Sequence, residues 1–273
     1  MIQLIKQKLV PYAFLLASLA ACQGCKEGEG LNILSLEQDV ELGRQVSAEI
    51  EKDPKQYPLL PETGREGRNE QAYAYLRGIV TRILNSGQVT HKDDLPWQVK
   101  IIQNDTTLNA FAAPGGFIYV YTGIIKYLDT EDQLAGVLAH EIAHADKRHT
   151  SRTITREYGY DLILTVLLGE NQSTLVNLAR GLVGLRYSRG FEEEADQFSV
   201  VYLCNTQYRA DGAAGFFQKM QEEGGGQGVP EFLSTHPNPG DRVTDITRQA
   251  QDKNCNLNNF PNAQYAQFKS LLP

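Results

Sequence analysis

The stretch "VLAHEIAHADKRH", residues 137–149, holds three of the chain's five histidines among small and apolar residues. Leu138, Ile142 and Ala145 recur at helical spacing, so the segment reads as a half-buried helix carrying His140, Glu141 and His144. A surface cluster of polar residues is the plain reading; a metal site is the sharper one. Residues four apart on a helix share a face, with Cβ atoms roughly 5–6 Å apart. Neutral imidazoles at that spacing can hold one Zn2+ ion at about 2.0–2.1 Å from each nitrogen. Glu141 is rotated away by about a quarter-turn and is left free to act as a base on water, which is the mechanical content of H-E-x-x-H.

A catalytic zinc site takes three protein ligands and leaves one position open. The third ligand is not a nearby histidine of metzincin spacing, because position 150 is Thr150 and the usual glycine is replaced by Lys147. His149 lies off the metal-facing register and is expected to bond a neighbouring backbone group or carboxylate. The stretch "RYSRGFEEEADQFSV", residues 186–200, offers carboxylates on a second helix. Such a cluster is ordinarily a solvated face. Here Glu192 and Asp196 are four apart and share a face, so one can bind zinc while the other accepts a hydrogen bond from a ligand imidazole. Ala195 between them permits close helix packing, and Glu193 and Glu194 are expected to face solvent.

The chain before these helices changes period. "SLEQDVELGRQVSAEIEKD" from Ser35 is an amphipathic helix with a Ser35–Gln38 capping box, and "EQAYAYLRGIVTRILNSG", residues 70–87, is a second helix. "WQVKIIQ", 97–103, reads as a strand, and "TLNAFAAPGGFIYVYTG", 107–123, as two strands around a Pro-Gly-Gly turn. After Gly123 the pattern is helical, with Thr130 and Gln133 forming the capping box of the histidine-bearing helix. "LILTVLL", 162–168, is too short to span a bilayer and reads as a buried helix or a hydrophobic lip. The class is α+β, a small antiparallel sheet against several helices, with no fixed repeat period.

The first residues are a separate unit. Lys6 and Lys8 precede an apolar run from Leu9 to Ala21, the pattern of a secretory signal. "LAAC", Leu19–Cys22, resembles the bacterial lipobox, which would make Cys22 the lipid-modified mature N-terminus. The expected organisation is a signal peptide over 1–21, a Gly-rich tether over 22–34 and one domain over 35–273. Export implies an oxidising compartment, in which Cys204 and Cys255 are the natural disulfide candidates. With 26 basic and 33 acidic residues the net charge is −7, and no basic run suggests nucleic acid.

"HEIAH", "FEEEAD", "THPNPGDR" and "NAFAAPGGFIYVYTG" together resemble the HtpX, BepA and CAAX prenyl-protease family of gluzincin zinc metallopeptidases, over roughly residues 35–250. The resemblance implies a mostly helical zincin-type domain. It implies His140, His144 and Glu192 as ligands of one Zn2+, Glu141 as the catalytic base and Asp196 behind the ligands. It also implies a role for His236, with Arg242 nearby, either as oxyanion donor or as a fourth ligand in a resting state; a structural histidine beside Pro237 is the third reading. Asn109, Ala110, Phe111 and Ala112 are expected on an edge strand that can add a substrate strand. The expected function is a zinc endopeptidase of the bacterial cell envelope, lipid-anchored, acting on unfolded or mis-assembled envelope proteins. A non-cleaving chaperone with a structural zinc is the alternative, and a zinc hydrolase of non-peptide bonds a third.

Overall fold

The computed structural model describes residues 32–223, 231–236 and 241–273. The expected signal peptide, Cys22, nearly all of the tether, and Pro237 lie outside the described residues. The first helix, α1 (Leu36–Lys52), is capped reciprocally by Ser35 and Gln38. It is followed by α2 (Arg68–Leu84), β1 (Gln98–Ile102), β2 (Ala110–Ala113), β3 (Phe117–Tyr121) and the short α3 (Thr122–Tyr127). Then come α4 (Glu131–Asp146), α5 (His149–Tyr158), α6 (Tyr160–Leu167), α7 (Gln172–Gly181), α8 (Arg189–Cys204) and α9 (Gly212–Glu222). Three helices close the chain: α10 (Glu231–Thr235), α11 (Arg242–Asp252) and α12 (Ala263–Leu271).

The α+β class holds, and the sheet is mixed rather than wholly antiparallel. β2 pairs antiparallel with β3, as a Pro-Gly-Gly turn requires, while β1 lies parallel on the other side of β3. The order is β1-β3-β2. The physical reason is burial: "FIYVY" is apolar at every position and takes the centre, whereas β1, with Gln98 and Lys100, takes an edge. Alternation along β3 then feeds two cores. Ile118 and Val120 pack with α2, α4, α8 and α9, and Phe117, Tyr119 and Tyr121 pack with α1 and α5–α7.

Helix α4 lies between these layers, and its Thr130–Gln133 capping box forms as expected. Every residue from Leu134 to Asp146 is buried. Its small residues permit this. A Cβ on Gly136 would sit 2.0 Å from the Ala213 nitrogen of α9. The apolar 162–168 stretch forms α6, burying Ile163 and Val166 and leaving Leu168 exposed just beyond it. Cys204, at the end of α8, is disulfide-bonded to Cys255, just past α11, across 51 positions of sequence. No helix among the described residues is long and apolar enough to cross a membrane.

Gly136→Ala is expected to destabilise the protein by about 1–3 kcal/mol through overpacking. Gly78→Ala in α2, where a Cβ would meet only Arg82 Nη1 at 3.5 Å, should instead stabilise by about 0.5–1 kcal/mol. Urea unfolding midpoints of the two variants check the contrast.

Candidate active site

α4 and α8 pack side by side, and their facing residues converge. His140, His144 and Glu192 are joined there by His236, which follows α10. One ligand atom from each of these four buried residues lies within 4.8 Å of all the others. His140 Nε2 is 3.0 Å from His144 Nε2 and 3.3 Å from His236 Nδ1. Glu192 Oε1 is 3.0 Å from His236 Nδ1 and 3.5 Å from His144 Nε2, and Glu192 Oε2 is 3.5 Å from His140 Nε2. A tetrahedral zinc site with ligands at about 2.0–2.1 Å has ligand-to-ligand edges of about 3.3 Å. The closest of these approaches are at the separations that a shared zinc ion would set.

The surrounding hydrogen bonds fix which nitrogens face inward. His140 Nδ1 lies 2.9 Å from Asp196 Oδ1, so it carries the proton and Nε2 turns a lone pair to the cluster. His149 Nε2 donates to Glu194 Oε2 at 3.0 Å. That leaves His149 Nδ1 to accept from His144 Nδ1, also at 3.0 Å, and again Nε2 of the ligand faces inward. Burial holds the His149 pKa below the usual range, which keeps it neutral for this bond. Two nitrogens facing one another at such a distance share either a proton or a metal ion. Burial depresses the His140 pKa, but hydrogen bonds to Asp196 and Glu192 outweigh it and raise it to about 9.

Charge counting points the same way. Arg242 donates through Nε to Asp196 Oδ2 at 2.7 Å and through Nη2 to Asp196 Oδ1, and its Nη1 is 3.3 Å from Glu192 Oε2. Three buried carboxylates, Glu141, Glu192 and Asp196, thus face one buried guanidinium. With the imidazoles neutral, as metal ligands are, and the three carboxylates ionised, two negative charges remain, the complement of a divalent cation. Glu141 sits beside the cluster with both oxygens lacking a hydrogen bond among the described residues, and Oε1 is 3.5 Å from His236 Nε2. Burial raises its pKa above the usual carboxylate range.

A scan against family models matches residues 70–250 to "Peptidase family M48". The chain belongs to that family. M48 metallopeptidases use zinc, and the residues of this cluster fit such an ion. The chain is 34% identical over 179 residues to the mitochondrial metalloendopeptidase OMA1 of Schizosaccharomyces pombe, covering 63% of this chain and 51% of that protein. It is 31% identical over 162 residues to the Arabidopsis thaliana protein of the same name, 59% and 33% of the two lengths. It is 28% identical over 191 residues to the beta-barrel assembly-enhancing protease of Escherichia coli K12, 63% and 39%. The chain spans about a third to a half of the length of these curated relatives.

The M48 site thus gathers His140, Glu141, His144, Glu192, Asp196, His236 and Arg242 within a few ångströms. Asn109, Ala110, Phe111 and Ala112 lie on or just before β2, which is an edge strand, although a buried one. One expectation needs correction, and one site residue is added by the structure. Glu194 does not simply face solvent; packing of α8 against α5 brings it onto His149. Tyr187 was not visible as a site residue, yet its ring stacks on His144 with centroids 3.9 Å apart. No periodicity marks Tyr187, which precedes α8 in an irregular stretch.

Glu192→Gln is expected to weaken zinc retention more than about tenfold, and Asp196→Asn by about 10–100-fold through His140. Glu193→Gln, on an exposed face, should leave it unchanged. Metal content after competition with a chelator measures all three.

Proposed function

We propose that this M48 chain is a zinc-dependent endopeptidase of a bacterial envelope, held to the membrane by a lipid on Cys22 and acting on unfolded or mis-assembled envelope proteins. One observation carries the catalytic reading: a buried cluster of three imidazoles and a carboxylate has beside it a buried, unbonded carboxylate, Glu141. A purely structural zinc has no use for such a base, which disfavours a non-cleaving chaperone. The name of the Escherichia coli relative, a beta-barrel assembly-enhancing protease, supports the envelope setting.

Bound to His140, His144 and Glu192, zinc supplies Lewis acidity toward a carbonyl and lowers the pKa of water to about 7. Glu141 takes a proton from the attacking water and delivers it to the leaving amine, its raised proton affinity suiting both roles. Asp196, clamped by Arg242, holds the His140 ring by its Nδ1–H, and His149 with Glu194 holds His144. His236 Nδ1 lies 3.0 Å from Glu192 Oε1 and its Nε2 faces Glu141, so a metal held by the other three would find in His236 a fourth ligand at the position a catalytic site leaves open. This arrangement supports a resting, latent state that yields when α10 carries His236 away, stacked as it is on Phe232 with centroids 4.3 Å apart. The outward backbone groups of β2 provide the edge on which an extended substrate lies.

Glu141→Gln should retain zinc and lose at least about a hundredfold in casein cleavage. Unchanged turnover at full zinc content would remove Glu141 from the mechanism. His236→Ala should raise basal cleavage; a fall in turnover with zinc retained would instead make His236 an oxyanion donor. Mass spectrometry of the mature N-terminus should find a lipidated Cys22, and a free N-terminus elsewhere would make the enzyme unanchored.

A further inference from the structure

The β2–β3 register fixes which groups on the edge strand point outward. Asn109 accepts from the Tyr121 N–H at 3.1 Å, so residues 109, 111 and 113 bond to β3, and Ala110 and Ala112 turn their N–H and C=O groups to the unpaired edge, which α5 and residues 182–184 cover in this resting arrangement. Two of those four outward groups are already engaged. Ala110 N–H donates to Asn109 Oδ1 at 2.9 Å. Ala112 C=O accepts from Thr150 Oγ1 at 2.8 Å. Thr150 Oγ1 in turn lies 2.9 Å from the Tyr187 hydroxyl, the ring of which packs on His144. The backbone N–H of Tyr187 donates to the Thr235 carbonyl at 3.3 Å, next to His236.

We propose that Thr150 is a removable stopper on the substrate edge: its hydroxyl occupies the Ala112 carbonyl that a substrate amide must take, and Tyr187 holds it there. This rests on the reading of β2 as the substrate-binding edge. Thr150 thereby sets affinity for extended chains without touching the reacting bond; it is a positioning residue. A substrate strand gains one backbone hydrogen bond only as Thr150 gives it up, so the resting enzyme discriminates against loosely held peptides. Because Tyr187 is bonded to both Thr150 and the α10 backbone, withdrawal of His236 and release of the edge are mechanically joined.

The test uses zinc-loaded protein with Glu141→Gln to stop turnover, and a short fluorescent casein peptide spanning a bond that the active enzyme cuts. Its singly N-methylated versions are bound in parallel. In the wild-type background at position 150, methylation of the amide facing Ala112 should weaken binding. Thr150→Val should tighten the unmethylated peptide about fivefold, the worth of one ordinary hydrogen bond, and leave the peptide methylated at that amide unchanged. Thr150→Ser, which keeps the hydroxyl, should bind as wild type. If Thr150→Val does not fold, Tyr187→Phe, which frees the Thr150 hydroxyl from its holder, should tighten the same peptide. Unchanged or weaker binding with the methylation penalty intact overturns the stopper and leaves the edge reading standing. If no methylated amide matters, the edge reading fails and the stopper with it.

Discussion

Three carboxylates and one guanidinium are buried together at the middle of this protein, and their two-charge imbalance is the constraint to which the rest of the fold answers. Transfer of each ion from water costs several kcal/mol even after relaxation. Such a cluster persists only where its charges are paired or coordinate a metal. Arg242 meets Asp196 through two of its nitrogens, Asp196 meets His140, and Glu192 meets the imidazoles. The remaining negative charge falls where three ring nitrogens converge. A divalent ion completes the balance, so binding of metal and integrity of the core are one thermodynamic problem.

The architecture supplies the proximity that this balance needs. α4 is flanked by α8 and α9 at distances that Ala139, Ala143, Ala195 and Gly136 make possible, and the sheet walls off one side. A sheet buried on both faces lets β3 serve two cores at once. One core steadies the metal helix. The other fixes α1 and α5, and α5 begins with His149, the residue that orients His144. Arg148 adds a direct tie, donating to Asp39 at 2.5 Å and to the Leu34 carbonyl at 2.6 Å. The orientation of one ligand ring is thus referred back to the opening residues of the domain.

Much of this is legible in the sequence because it is local. His140 and His144, or Glu192 and Asp196, are related by a helical period that survives any tertiary context. The capping boxes at Ser35 and Thr130 are likewise complete within four residues. What the sequence hides is set by approach between distant elements. Nothing local tells that "WQVKIIQ" joins its sheet parallel, since that depends on which strand takes the buried centre. Nothing local assigns Glu194 to His149 or Tyr187 to His144, because both contacts arise from how α5 and the turn before α8 meet. His236 was recognisable only by resemblance, and its alternatives differ in side-chain placement, which sequence spacing does not carry.

The bond between Cys204 and Cys255 gives the molecule a closed covalent circuit. That circuit encloses His236 and Arg242 and is fastened to the same helix that bears Glu192 and Asp196. Where exposed backbone is nicked, most chains shed whatever lies beyond the nick. Here a single cut anywhere between the two cysteines leaves both fragments linked, with the C-terminal piece still docked at its partner helix. The ring thus converts what would be loss of a segment into a mere break in it, under any conditions that keep the bond oxidised.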